Sequence, residues 1–165
     1  MNDLKNNWNI AYQETKSIAE QITRLRQSKA KEFTELVTKE LKSLYLDKVV
    51  FKVDFKLVDF QKNGQDNVEF LISTNAGQTL KPLNKVASGG EMSRIMLAIK
   101  ILSLSSSSVE TIIFDEADTG VSGKVAESIG AKMKYISKQH QVLCITHLAQ
   151  VAAFAKKSLF DPKIK

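Results

Sequence analysis

The chain has 165 residues, 43% hydrophobic and 25% charged, the proportions of one folded domain rather than of a disordered or fibrous chain. Its 24 Lys and Arg against 18 Asp and Glu give a net charge of +6, which admits an anionic partner such as nucleic acid but is equally met by a lysine-rich solvated surface. The single cysteine excludes an intrachain disulfide and a cysteine-held zinc, and no segment reads as a signal peptide or membrane span, so a reducing cytoplasm is the expected setting.

From Leu4 to Leu46 there is no Gly or Pro, and apolar residues recur at helical spacing: Ile18, Ile22, Leu25, then Phe33, Leu36, Val37, Leu41 and Leu44. The pattern predicts one long amphipathic helix, with a possible break near Gln27 to Lys31. Its first part is polar and thinly striped, like the end of a coiled coil, and its second half reads as a helix packed on the domain. The period then switches to two: Val49, Phe51, Val53, Phe55 and Leu57 alternate with Lys52, Asp54 and Lys56. A turn over 61–67 and a second strand from Val68 to Thr74 complete an expected antiparallel hairpin, and 75–87 is an expected loop. Beyond it, helix and short apolar strand alternate. A helix is expected over Gly90 to Leu104, a polar break over Ser105 to Ser108, and a buried strand over Thr111 to Phe114. A helix over Ser122 to Lys138, a buried strand over Gln141 to Thr146 and a helix over Leu148 to Ala155 follow. That alternation predicts an α/β fold with a mostly parallel sheet. Cys144 falls in the second buried strand, where a small hydrophobe is the expected role.

Three short segments carry chemistry. The strand ending at Phe114 runs into Asp115-Glu116, at the strand end where α/β sheets bind ligands. Of two adjacent carboxylates there, one suits a Mg²⁺ that also takes phosphate oxygens, and the next can orient and deprotonate water. A helix cap with a first-turn acid is the competing reading. Ala87-Ser88-Gly89-Gly90-Glu91 opens a helix; two glycines and a helix N-terminus favour a bound anion, although a capped helix after a loop has the same pattern. His147 follows the last strand, on the sheet edge of Asp115 and Glu116, placed either to meet a γ-phosphate or to lie on the surface.

In this order, the three segments resemble the C-terminal lobe of an ABC-type ATPase head: signature, Walker B and switch histidine. Asp118-Thr119-Gly120-Val121-Ser122-Gly123 stands where such heads have their D-loop, and a signature ending in Glu91 is similar to the SMC-like branch. Three longer segments resemble the RecN family of bacterial DNA repair proteins: 85–94 (KVASGGEMSR), 113–123 (IFDEADTGVSG) and 146–152 (THLAQVA). The hairpin and Thr74-Asn75-Ala76-Gly77-Gln78 are also similar, so the resemblance covers about residues 30 to 155.

The resemblance implies ATP sandwiched between two heads of a homodimer. Asp115 would hold Mg²⁺, Glu116 activate water and His147 stabilise the γ-phosphate. Ser88, Gly89, Gly90 and Glu91 would reach ATP bound by the opposite head, and Asp118 and Ser122 would belong to the D-loop. Residues 1–30 would be the end of a coiled-coil arm, and 31–165 a partial head that stops before the family's last strand and helix. A Walker A loop is missing. The sole Gly-Lys, Gly123-Lys124, has Asp118 where the loop needs Gly and Val125 where it needs Ser or Thr, and it follows the Walker B strand. The Walker A lobe is therefore expected from sequence outside these residues, and the isolated chain is expected to be inactive. DNA is the implied partner, and Lys29, Lys31, Lys39, Lys42, Lys48, Lys52, Lys56 and Lys62 are candidates to touch its phosphates. A non-catalytic interaction module and another SMC-like head are the alternatives; the stretch 119–123 argues against the second.

Overall fold

The computed structural model describes residues 2–75, 77–86, 90–104, 109–115, 117–121 and 123–159. Helix α1 runs unbroken over Asn2–Ser43, so the possible break near Gln27 does not occur. With no Gly or Pro to interrupt the backbone hydrogen bonds, nothing in this stretch stops the helix. It ends in a Schellman motif: the Leu46 N–H donates to the Leu41 carbonyl, and the Tyr45 N–H to that of Lys42, both at 3.0 Å. Tyr45 sits at φ 59°, where glycine is usual, and Leu46 folds back beside Leu41 in the core.

Strands β1 (Val50–Gln61) and β2 (Gly64–Ser73) form the expected hairpin, antiparallel with Phe51 opposite Ile72. Both strands run closer to the turn than the alternation suggested. The connection shrinks to Lys62-Asn63, with Gly64 at φ 112°, a conformation open to glycine. The expected loop carries a two-residue strand β3 (Lys81–Pro82) that pairs with β2, then a 3₁₀ turn at Leu83–Lys85.

The second half is α2 (Gly90–Leu104), β4 (Thr111–Asp115), α3 (Gly123–Ile136), β5 (Gln141–Ile145) and the single turn α4 (Ala149–Ala152). Strands β4 and β5 pair in parallel, as the alternating pattern required, with Phe114 opposite Cys144 and Asp115 opposite Ile145. One continuous core joins the halves. Val37, Leu41 and Leu44 from α1 meet Phe51 and Ile72 of the hairpin, Ile95 of α2, Phe114 of β4 and Ile129 of α3.

One expectation needs correction. The strands expected to be buried are covered on one face only. Ile112 and Phe114 are buried, whereas Ile113 is 64% exposed, Leu143 48% and Ile145 57%. Cys144 is half-buried. Helices cover one side of a two-stranded sheet, and among the described residues nothing lies against the other. No helix among the described residues is long and apolar enough to cross a membrane.

Candidate functional site

Parallel pairing in register makes β4 and β5 exit at the same sheet edge. Asp115 stands there, exposed, at the end of β4; exposed His147 lies two residues beyond the end of β5. The sequence put these groups on one edge, and the register bears that out. Glu116, Ser88, Gly89 and Ser122, also singled out from the sequence, lie outside the described residues.

Behind this edge the chain after β4 turns back into the protein. Asp118 is 1% exposed, and its Oδ2 accepts a hydrogen bond from the Thr146 hydroxyl. The same hydroxyl oxygen accepts from the Leu148 N–H at 3.0 Å, so Thr146 spans His147 to the next amide while it holds Asp118. Asp118 Oδ1 has no partner among the described residues. A buried carboxylate oxygen with no donor is costly, and marks a place where a further donor would be favourable. Asp118 also occupies the position at which a phosphate loop ending in Gly123-Lys124 would need glycine, which agrees with rejecting that loop.

The start of α2 is tied to the same turn. A Cβ on Gly90 would lie 2.0 Å from the Thr119 carbonyl oxygen, an impossible approach, so only glycine lets the two backbones meet. The sequence left Gly90 open between an anion site and a capped helix; the structure adds an internal reason for glycine, close packing on the turn at 117–120. Glu91 is exposed in the first turn. Arg94 folds back from the second: its Nε donates to the Gly90 carbonyl at 3.3 Å and its Nη1 to the Leu44 carbonyl at 3.1 Å. Burial lowers the pKa of this guanidinium, and nearby Glu91 opposes the shift. A cavity of about 500 Å³ opens beside Gly90 and Glu91, bordered by Ser73, Gln78, Lys81 and Lys85.

Thus Asp115, the Thr146-His147 strap, buried Asp118 and Gly90 come together around one sheet edge. Thr146 and Arg94, which hold the arrangement, were not singled out by the sequence reading. The position of Thr146 immediately before the histidine was the available signal. All eight lysine candidates are exposed, and Lys29, Lys52 and Lys56 face Glu32, Asp54 and Glu69. Among the described residues no group of three or more His, Cys, Asp or Glu forms a metal centre. A single strand-end carboxylate does fit Mg²⁺ arriving with a nucleotide, since Mg²⁺ takes one or two carboxylates beside phosphate oxygens and water. Behind the edge, Cys144 has its thiol pKa raised to about 11, first by burial and then by Asp118 and Asp115.

No family model matches the chain. It is similar to curated DNA repair proteins RecN: 49% identical to that of Halalkalibacterium halodurans over 147 residues, 86% of this chain and 26% of the relative. It is 47% identical to that of Bacillus subtilis, over 88% of this chain and 28% of the relative. The relative from Vibrio cholerae matches at 37% over 99% of this chain and 30% of its own length. The chain thus spans between a quarter and a third of these relatives. In fold it resembles the Smc head domain of Pyrococcus furiosus solved with an extended coiled coil (TM-score 0.59, 20% identity, 79% of this chain and 31% of that one). It also resembles a chain from a study of ATP-driven dimerization of SMC ATPases (TM-score 0.51, 20% identity, 84% of this chain and 83% of that one). The SMC likeness bears out the α/β head-type fold expected from the sequence.

Proposed function

We propose that the chain, similar to RecN proteins along nearly its whole length, is the water-activating half of an ATPase head acting in DNA double-strand break repair. The observation that carries the proposal is the shared edge: Asp115 and the Thr146-His147 strap leave parallel strands side by side, with Asp118 and Gly90 packed behind them.

In this reading Asp115 holds Mg²⁺, and Glu116 orients water and accepts its proton. His147 faces the γ-phosphate, held in place through Thr146. Ser88, Gly89, Gly90 and Glu91, with Asp118 and Ser122 of the D-loop, face a nucleotide carried by the opposite head of a homodimer. Held by Asp115, Mg²⁺ would offset the negative charge that develops on the phosphate during hydrolysis. The phosphate loop comes from a Walker A lobe outside these residues, because Gly123-Lys124 is not one.

Residues 1–30 form the end of a coiled-coil arm, and 31–165 the partial head. Leu4, Ala11, Ile18 and Leu25 recur every seven residues, with Trp8, Thr15 and Ile22 between them, a seam of the kind two-stranded coiled coils use. Leu4, Ile18 and Leu25 are 77%, 58% and 68% exposed, as a seam awaiting a second helix would be. Contact with DNA phosphates falls to the exposed lysines that face no carboxylate among the described residues, such as Lys31, Lys39 and Lys48.

The test joins this chain to the Walker A lobe of a RecN relative and measures hydrolysis. Glu116→Gln should lower turnover by about 10²-fold or more while ATP still binds. Unchanged turnover would refute the assignment. A second reading, a non-catalytic interaction module, is favoured by the lack of a phosphate loop in the sequence. It predicts no hydrolysis in any such pairing.

A further inference from the structure

We propose that the β1–β2 hairpin is a brace that fixes the direction of α1, and that the braced helix passes its position to the first turn of α2. Only the functional meaning of that turn rests on the reading above; the brace and the transmission stand on contacts.

A helix of 42 residues extends about 60 Å at 1.5 Å per residue. The inner end of α1 is embedded in the core, while much of the outer half is solvated. The hairpin follows it outward. Phe51 and Phe70 pack on Phe33 near the base, and at the outer end Phe60 meets Tyr12, which stacks on Trp8 at 5.2 Å. Between these aromatic contacts lies a polar latch. The Asp66 side chain is 3% exposed. Its Oδ1 accepts from the Thr23 hydroxyl at 2.8 Å and its Oδ2 from Arg26 Nη1 at 3.1 Å. Arg26 Nη2 also donates to the Asn63 carbonyl in the hairpin turn at 2.6 Å. Both carboxylate oxygens are therefore used, and both donors, Thr23 and Arg26, come from one face of α1. Gly64 closes over the latch; a Cβ there would lie 3.1 Å from Arg26 Nη1.

At its inner end α1 is held by groups on other elements. Ser128 of α3 donates to the Ser43 carbonyl at 2.6 Å, and Lys132 pairs with Glu40. Arg94 of α2 donates to the Leu44 carbonyl and also, through Nε, to the carbonyl of Gly90. The carbonyls of a helix end lack partners within the helix, so these contacts grip the helix where it can be gripped. With the latch closed, α1 cannot swing about its base without straining the hairpin. A load on the outer part then reaches Leu44 and, through the Arg94 fork, the start of α2.

Hydrogen exchange on the 165-residue chain tests this without nucleotide or DNA, so its outcome is independent of the ATPase reading. In Asp66→Ala, amides of residues 19–28 should exchange about tenfold faster or more, as expected for loss of a buried charge-assisted latch. Those of 91–96 should speed up in the same variant, while amides of β5 (Gln141–Ile145), which none of these contacts touches, stay unchanged. The emission of Trp8, the sole tryptophan, should become more accessible to acrylamide. In an Arg94→Lys background, which keeps the charge but not the two-point fork, breaking the latch should no longer change 91–96. The milder Arg26→Gln should give the same pattern with smaller amplitude, and serves if Asp66→Ala does not fold. Unchanged exchange at 19–28 in both latch variants would overturn the brace. Faster exchange at 19–28 with 91–96 unmoved would overturn the transmission.

Discussion

The arm-and-hairpin region and the β4–β5 half-sheet are built from the same chain to different degrees of completion. In the first, the buried carboxylate Asp66 has both oxygens bonded, and the aromatic rings of the hairpin find partners on α1. In the second, the buried carboxylate Asp118 has one oxygen without a partner among the described residues, and Ile113, Leu143 and Ile145 face outward. Parallel strands are ordinarily covered on both faces. The contrast teaches that burial of a carboxylate is fully compensated where α1 and the hairpin close on each other, and only half compensated at the sheet edge, where one face is bare among the described residues.

The largest expected effect lies where the two regions meet. Leu41 is 1% exposed beneath both, and Leu41→Ala should cost about 2–5 kcal/mol in chemical denaturation. Ile113→Ala, on the bare face at 64% exposure, should cost less than about 0.5 kcal/mol in the isolated chain. A large cost at Ile113 would mean that this face is already covered and would break the comparison.

Next in size is Thr146→Val. It strips Asp118 of its hydroxyl donor and leaves the Leu148 N–H without its acceptor. A loss of about 1–3 kcal/mol is expected from such unmade buried bonds. An unchanged midpoint would show that the strap around His147 is not held by this hydroxyl.

The smallest effect concerns Cys144. Its thiol pKa is raised from 9.0 to about 11, so the folded state favours the neutral form. Between those values the unfolded chain gives up its proton first. The stability this thiol contributes is therefore complete below pH 9.0 and is lost as pH rises toward about 11. Alkylation by iodoacetamide at about pH 8.5, near the pKa of a free thiol, should be slow in the native chain and fast in urea. Equal rates would place the thiol in water and remove the covered face of the half-sheet from the account.

Much of this was legible in the sequence, for local reasons. An uninterrupted helical period gave α1, a period of two gave the hairpin, and apolar runs alternating with a helix gave the parallel pair. The site edge was legible too, because Asp115 and His147 each follow an apolar strand, and parallel strands end together. What escaped depends on contacts distant in sequence. Asp66 reads as a turn residue until Thr23 and Arg26 are seen to close on it. The packing role of Gly90 is invisible until the Thr119 carbonyl is found against it. The bare face of β4–β5 could not be inferred from Ile113 and Ile145, whose side chains suit a buried strand whether or not a cover is present.

The central claim, that these residues form one half of a nucleotide site, is tested most directly by titrating ATP with Mg²⁺ into the chain alone and into the chain joined to a Walker A lobe. The account predicts no binding by the chain alone at about 1 µM ATP, where a complete site would supply about 8 kcal/mol, and binding once the lobe is present. Micromolar binding by the chain alone, or none in the joined protein, would contradict it.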